Sequence, residues 1–186
     1  MAIKKSKGKE WYTIIAPKFF GEKEIGKTLT ADPEKIVGRI LSLSAIDLIN
    51  DLNKFNLKFK FRIFKVEGNT AITEFIGSEC MQDFISRMVL RRIRRIDVVQ
   101  DIKMRDGVKV RVKVLATISK KATSSVEKSV RLLIHQMIRE EIERSTLEQL
   151  LKKTISNELR TNVLKESKSI YPIRNFEIRK IEIIKK

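Results

Sequence analysis

The chain has 186 residues, of which 42% are hydrophobic and 34% charged, and its formal net charge is +17. The hydrophobic fraction argues against a disordered tail protein, and the length is sufficient for one domain with a sizeable core. One cysteine and one histidine exclude a disulfide framework, a multi-cysteine zinc site and most histidine-based catalysis.

The chain begins with a lysine-rich arm over residues 1–10, which we expect to stay flexible until an acidic partner orders it. No apolar segment follows the arm, so it does not have the pattern of a secretory signal. No apolar run approaches the roughly 20 residues that cross a bilayer. We therefore expect a soluble protein of the cytoplasm.

Short strands are predicted next, at residues 11–16, 25–29 and 38–44, because β-branched and aromatic residues cluster there between turn residues. Asp32 is predicted to cap a single helical turn, and a short helix is predicted at 46–52.

A first long hairpin is predicted at 57–76 around the turn Glu67-Gly68-Asn69. Pairing across that turn brings Arg62 to Glu74. The alternation of apolar and polar residues along the strand shifts by one residue at 63–64, which indicates a bulge. Phe59, Phe61 and Phe64 are all expected in the core.

Residues 81–93 predict a short amphipathic helix, because apolar residues recur at three- and four-residue spacing from Met81 to Val89. Arginines recur on its other side at nearly the same period and continue into the next strand: Arg87, Arg91, Arg94 and Arg95.

A second long hairpin follows, and its register can be predicted. A three-residue loop at 105–107 keeps each face consistent and puts Gly107 at the left-handed position such loops require. Met104 then faces Val108, and Val98 faces Val114. The same register sets Asp101 opposite Arg111 and Lys103 opposite Lys109. Because directly opposed like charges destabilise a sheet, the lysine pair is better explained if an anion binds there.

The remainder of the chain is predicted to be helical up to about residue 168, with capping boxes at Ser124 and Ser145, and to end in a strand at 176–184. We therefore predict an α+β fold, with a mostly antiparallel, barrel-like sheet and the C-terminal helices packed against it. One RNA-binding domain would cover 11–186, β-rich at 11–120, helical at 121–169 and closed by a strand within 170–186.

One motif is misleading. Residues 21–28, GEKEIGKT, match the P-loop pattern, which needs a strand before it and a helix that opens at the lysine. Asp32-Pro33 follows too soon for that helix, and Glu22 and Glu24 would bring negative charge into the phosphate cradle. A turn between strands is predicted instead of a nucleotide site.

The positive charge is concentrated rather than spread. Residues 81–121 hold 12 Lys and Arg against 4 Asp and Glu, whereas residues 31–80 hold 7 of each. Four arginines within five positions and the lysines of the hairpin predict contact with nucleic-acid phosphates. Few aromatic residues accompany them, so shape and backbone rather than base sequence would be recognised.

The candidate RNA-binding residues lie on the arm, around the arginine run, on the second hairpin and near the C-terminus. They are Lys4, Lys5, Lys7, Lys9, Arg39, Arg87, Arg91, Arg92, Arg94, Arg95, Lys103, Lys109, Arg111, Lys113, Arg179 and Lys180. No catalytic residue, metal ligand or cofactor is predicted.

Short motifs distributed along nearly the whole chain form a recognisable set. They are Gly8-Lys9, Trp11-Tyr12, Ala16-Pro17, Ile25-Gly26-Lys27-Thr28, Asp32-Pro33-Glu34, Gly38-Arg39, Ala71-Ile72-Thr73-Glu74-Phe75, Arg91-Arg92, Arg94-Arg95-Ile96-Asp97, Ile170-Tyr171-Pro172 and Ile178-Arg179-Lys180. Taken together, they resemble one family: the archaeal and eukaryotic small-subunit ribosomal proteins called S-three-A-e, or S-one-e in unified naming. The length resembles the archaeal form. One departure is the segment TISN at 154–157, where the family has a Pro-Gly break.

The resemblance implies a non-catalytic structural protein on the platform of the small ribosomal subunit, near the 3′ region of the rRNA and the mRNA exit side. Its partners would be small-subunit rRNA and neighbouring platform proteins, with the chain present as a monomer and without a membrane or small-molecule substrate. The alternative is a free RNA- or DNA-binding or translation-associated factor. An NTPase ranks third.

Overall fold

The computed structural model describes residues 8–184. Lys4, Lys5 and Lys7, which the sequence proposes as RNA contacts, lie outside the described residues. The contacts of the chain divide it into two compact units, Met1–Gly77 and Ser78–Lys186.

The first unit is mainly β-structure. Its strands pair in the order β2-β1-β5-β4-β3. Adjacent strands β1 and β2, and also β3 and β4, run antiparallel, whereas β1 and β5 are parallel. The strands are β1 (Glu10–Ile15), β2 (Glu24–Thr30), β3 (Ile40–Ser44), β4 (Leu57–Glu67) and β5 (Thr70–Cys80), and the helix is α1 (Ala45–Ile49).

Aromatic side chains form much of the core of this unit. Phe59 and Phe61 of β4 are fully buried and lie on the same face, because they are two residues apart on a strand. Phe20 and Phe75 pack against them, with ring centroids 5.1 to 6.2 Å apart. Phe64 was expected to join them and does not: its side chain is 50% exposed, because it lies three residues after Phe61 and therefore on the opposite face of β4.

The predicted salt bridge of the first hairpin is confirmed. Arg62 of β4 donates to Glu74 Oε1 of β5 through Nε and Nη2, at 2.9 and 2.7 Å. Gly68 in the intervening turn has a φ of 56°, which a glycine adopts without strain.

The second unit has one helix before three antiparallel strands, which pair in the order β8-β7-β6, and three helices after β7. The elements are α2 (Gln82–Met88), β6 (Ile93–Lys103), β7 (Lys109–Ser119), α3 (Ser124–Arg144), α4 (Leu147–Ile155), α5 (Glu158–Glu166) and β8 (Asn175–Ile184).

The register predicted for the second hairpin is confirmed. Ile102 pairs with Val110, Val98 with Val114, and Lys103 with Lys109. Gly107 has a φ of 78°, as a three-residue loop requires.

One face of this sheet is apolar and covered by helices. Val110, Val112 and Val114 pack with α3 residues Ile134 and Ile138 in a single buried cluster. The other face carries the alternating charged residues of β6 and β7, because successive side chains of a strand point to opposite faces.

Both capping predictions are wrong by one residue. Thr123, not Ser124, caps α3, and its Oγ1 accepts from the backbone N–H of Val126 at 3.4 Å. Thr146, not Ser145, forms the capping box of α4 with Gln149. Ser145 instead ends α3 and is buried, with its hydroxyl donating to the Glu141 carbonyl at 2.6 Å.

The TISN segment does break the helical region. α4 ends at Ile155 and α5 begins at Glu158, with Asn157 between them at a φ of 61°. Asparagine tolerates the left-handed conformation better than most residues, so it can end a helix where the family has Pro-Gly.

The α+β fold with C-terminal helices is confirmed, but the sheet detail needs correction. The sheet is mixed, because β1 and β5 are parallel. Within residues 8–184, the strands of each unit follow an open path, so the barrel-like closure expected from the sequence is absent. In the same residues, no helix is both long enough and apolar enough to cross a membrane.

Candidate nucleic-acid interface

The arginine run does not continue the helix that the sequence predicts. α2 ends at Met88, and Arg91 and Arg92 lie in the turn before β6. Arg92 adopts a φ of 66°, which breaks the helical path. Arg87 is the only predicted arginine that α2 carries, and it is exposed.

Arg94 and Arg95 are consecutive residues of β6, so their side chains leave opposite faces of the strand. Arg94 Nη1 lies 3.5 Å from Glu127 Oε2 of α3, on the helix-covered face. Arg95 lies on the other face and donates twice to the Asp97 carboxylate, both at 2.8 Å. The run is therefore not one continuous patch.

The middle of the charged face is a row of ion pairs. Arg111 makes a bidentate contact to Asp101 at 2.6 and 2.7 Å. Glu182 of β8 accepts from Lys113 at 3.0 Å and from Lys180 at 2.5 Å. Three of the predicted RNA contacts, Arg111, Lys113 and Lys180, thus already have carboxylate partners.

These contacts change the acidity of the carboxylates. Hydrogen bonding from Arg111 holds the pKa of Asp101 below its ordinary value, and the positive charges of Lys109 and Lys113 lower it further. Hydrogen bonding from Lys180, aided by Lys113, likewise lowers the pKa of Glu182. Both carboxylates are held in the charged form that neutralises their cations.

The hairpin tip is different. Lys103 and Lys109 face each other across β6 and β7 and are exposed. Within the part of the chain that the structure describes, neither lysine forms an ion pair. Two opposed cations that form no ion pair repel each other, so a bound anion would stabilise them.

The tip is held in place by the helical region. Asp106 Oδ2 accepts from the backbone N–H of Leu147, the first residue of α4, at 3.0 Å. The backbone N–H of Arg105 donates to the Ser145 carbonyl at 3.4 Å. A carboxylate at a helix N-terminus is favourable because unpaired N–H groups point toward it. Lys103 and Lys109 are therefore presented on a supported loop.

Sequence reasoning missed a second group of cations, at the base of the hairpin. Ile93 pairs with Ser119, so the turn containing Arg91 and Arg92 lies at the same end as Lys120 and Lys121. All four side chains are exposed. The predicted pairing of the hairpin, extended to its open end, could have identified the two lysines.

The remaining predicted contacts lie in a bulge of β8 and in the first unit. Arg179 occupies a bulge of β8, between the pairs Lys113–Lys180 and Val114–Ile178. Arg39 and Lys9 belong to the first unit, where both are exposed. Arg39 donates to Thr28 Oγ1 at 2.7 Å and to the Lys35 carbonyl at 3.2 Å, so it also holds its own loop together.

The segment that matches the P-loop pattern is a turn only at residues 21–23, and its remaining residues belong to β2, so the turn predicted for the whole segment is too long. Lys27 and Thr28 lie in β2, where they pair with Thr13 and Tyr12 of β1. No helix opens at Lys27, so backbone N–H groups do not converge on a phosphate site there. Within residues 8–184, no group of three His, Cys, Asp or Glu side chains is arranged to hold a metal ion.

Residues 2–186 match the Ribosomal S3Ae family. A protein of Methanothrix thermoacetophila named small ribosomal subunit protein eS1 is 38% identical over 97% of this chain and 85% of its own length. Proteins of the same name from Methanopyrus kandleri and Desulfurococcus amylolyticus are 36% and 31% identical, over 99% and 97% of this chain and 89% and 84% of their own lengths. The chain belongs to the Ribosomal S3Ae family.

Proposed function

We propose that this chain is a structural, non-catalytic protein of the small ribosomal subunit that binds and stabilises rRNA in the cytoplasm. The names of its relatives supply the ribosomal assignment. The observation that carries RNA binding is the Lys103–Lys109 pair, two opposed cations without an ion pair on a supported hairpin tip.

The predicted contacts should contribute unequally. Arg87, Arg91, Arg92, Lys103 and Lys109 form no ion pair in the described part of the chain and would neutralise phosphates directly. The cations that already have carboxylate partners would contribute less, because a phosphate must compete with that partner. These weaker contributors are Arg94, Arg95, Arg111, Lys113 and Lys180.

The other proposed contacts support a wider footprint. Lys9 and Arg39 would add contacts from the first unit and Arg179 from the β8 bulge, while Lys4, Lys5 and Lys7 would act from the arm. On the intact subunit, we place the chain as a monomer on the platform, next to other ribosomal proteins and near the 3′ region of the rRNA and the mRNA exit side. The surface would recognise RNA shape and backbone rather than base sequence.

Sedimentation tests this proposal. A tagged copy of the chain, expressed in an archaeal cell, should sediment with small subunits at one copy per subunit and remain bound at moderate salt. A chain found mostly free of subunits would contradict the proposal. Substoichiometric association that is lost as salt rises would instead indicate a free RNA-binding factor. A tagged archaeal protein of known small-subunit location provides the control.

A further inference from the structure

Four cationic residues lie at the base of the second hairpin, and within the described residues no carboxylate forms an ion pair with any of them. Arg91 and Arg92 precede β6, and Lys120 and Lys121 follow β7 directly. Since Ile93 pairs with Ser119, the two segments begin about 4.8 Å apart, one strand spacing. We call these four residues the base group, and Lys103 with Lys109 the tip pair.

The positive charge of the base group is not neutralised by ion pairs within residues 8–184. In the described part of the chain, none of its four cations forms an ion pair. The carboxylate of Glu127 in α3 is already engaged, at 3.5 Å from Arg94 and 3.0 Å from Arg131. Four exposed cations at one end of a sheet repel each other, and phosphates relieve that repulsion.

The middle of the charged face of the hairpin separates the base group from the tip pair. Between them lie Asp97, Asp101 and Glu182, each bonded to a cation of the same face. Ten residue steps along β6, from Ile93 to Lys103, correspond to about 33 Å. An RNA backbone running along the strands would have to compete with all three carboxylates for the cations of this segment.

We propose that the tip pair and the base group bind two separate segments of rRNA backbone, so that the second hairpin bridges them. This inference rests on the proposed function and adds Lys120 and Lys121 to the binding residues. The cations of the middle segment already have carboxylate partners, so they are weaker phosphate contacts than either end. The bound chemistry at both ends is the phosphate backbone of RNA.

Three double variants of the full-length chain test the bridge. Lys103→Gln with Lys109→Gln removes the tip charges, and Lys120→Gln with Lys121→Gln removes half of the base charges. Lys165→Gln with Lys168→Gln is the matched control, because both lysines are exposed on and after α5, outside the proposed contacts. Far-UV circular dichroism and thermal unfolding establish that each variant is folded.

Hydroxyl-radical footprinting on transcribed small-subunit rRNA provides the first readout. The unmodified chain should protect two sets of nucleotides that do not adjoin in the rRNA. The tip variant should lose one set and the base variant the other, while the control keeps both. Loss of the same nucleotides in both variants, or an unchanged footprint in the base variant, would overturn the bridge.

The salt dependence of binding provides the second readout. The log–log slope of affinity against salt should become shallower by about 1.4 to 1.8 for each double variant, as expected for two lost phosphate contacts. An unchanged slope in the base variant would also contradict the inference. If the unmodified chain neither binds nor protects this rRNA, the proposed function itself fails, and the bridge with it.

Discussion

The first hairpin, β4–β5, and the second hairpin, β6–β7, each use two strands of eleven residues joined through a glycine of positive φ. The two hairpins bury different types of side chain. The first hairpin buries aromatic rings, including Phe59 and Phe61, whereas the second packs a row of valines and isoleucines against α3. The backbone plan is shared, so the function of each hairpin depends on its side chains.

The charges on the two hairpins are arranged differently. On the first hairpin, Arg62 is bonded to Glu74 at 2.7 Å and Lys65 to Glu67 at 2.6 Å. On the second, ion pairs occupy the middle of the face, and both ends carry cations without ion pairs in the described part of the chain. We therefore expect the positions of the carboxylates, more than the number of cations, to determine where a polyanion binds.

The largest loss of stability is expected from a substitution in the aromatic core of the first hairpin. Phe61→Ala removes a fully buried ring that packs against Phe20 and Phe75, and should lower the free energy of unfolding by about 3–5 kcal/mol. Phe64→Ala is the matched control, since that ring is 50% exposed, and should change stability by about 0.5 kcal/mol or less. Chemical denaturation measures both, and equal losses would show that the assignment of Phe64 to the surface is wrong.

A charge reversal then compares the hairpins as RNA-binding surfaces. Lys103→Glu places a negative charge at the proposed phosphate contact and should weaken rRNA binding on the order of tenfold at moderate salt. Lys65→Glu makes the same charge change on the first hairpin and should leave affinity nearly unchanged. Filter binding measures both variants, and an equal loss in Lys65→Glu would remove the distinction between the hairpins.

Removing the contact between Asp106 and the start of α4 should have a moderate effect on stability and on rRNA binding. Asp106→Ala leaves the Leu147 N–H at the start of α4 without its acceptor and should cost about 1 kcal/mol of stability. It should also weaken rRNA binding, because the tip lysines lose a fixed position. Asp51→Ala, which removes an acceptor 2.9 Å from the Asn53 N–H before the first hairpin, should leave binding unchanged. If Asp106→Ala preserves both thermal stability and affinity, the support has no role.

The next substitution should have a smaller effect, and it should increase stability rather than lower it. Lys109→Gln relieves the repulsion with Lys103 and should stabilise the RNA-free chain by about 0.2–0.5 kcal/mol, while weakening rRNA binding. Thermal unfolding at low salt shows this best, because salt screens the repulsion. Lys65→Gln should not stabilise, since it removes an ion pair with Glu67. If Lys109→Gln lowers stability instead, repulsion between the two lysines does not destabilise the RNA-free chain.

The smallest expected effect concerns pH. The pKa of Asp101 and that of Glu182 are lowered in the folded chain, mainly by hydrogen bonds from Arg111 and Lys180. Their stabilisation is therefore fully present above the ordinary carboxyl pKa and is lost as the pH falls through the lower folded values. Asp101→Asn should reduce the acid-dependent loss of stability, measured as urea midpoints at several pH values. An unchanged pH dependence would show that this ion pair does not contribute.

Local pattern was sufficient for part of the candidate site. The alternation of residues 108–114 and the glycine of the turn predicted the register, and with it the Lys103–Lys109 and Asp101–Arg111 pairs. The arginine run was harder to interpret, because a helical period continues past Met88 in the sequence. The pairing of Ile93 with Ser119 makes that segment a turn and a strand, and tertiary pairing overrides a local period.

The helix starts show the same limit at a finer scale. Serine and threonine neighbour each other at both starts, and either residue type can cap a helix. The choice of Thr146 over Ser145 depends on the burial of Ser145, whose hydroxyl bonds back to the Glu141 carbonyl. No local pattern contains that information.

Alternation and turn chemistry act over a few residues, so the linear chain was enough to predict the α+β class, the concentration of positive charge in residues 81–121 and the strand register of the second hairpin. Which cations are neutralised depends instead on how the chain packs in three dimensions. Glu182 reaches Lys113 because β8 pairs with β7 across more than sixty residues of chain, and Lys120 joins Arg91 because the open ends of a hairpin meet. Ion pairing depends on distance in space, which a linear charge count does not contain.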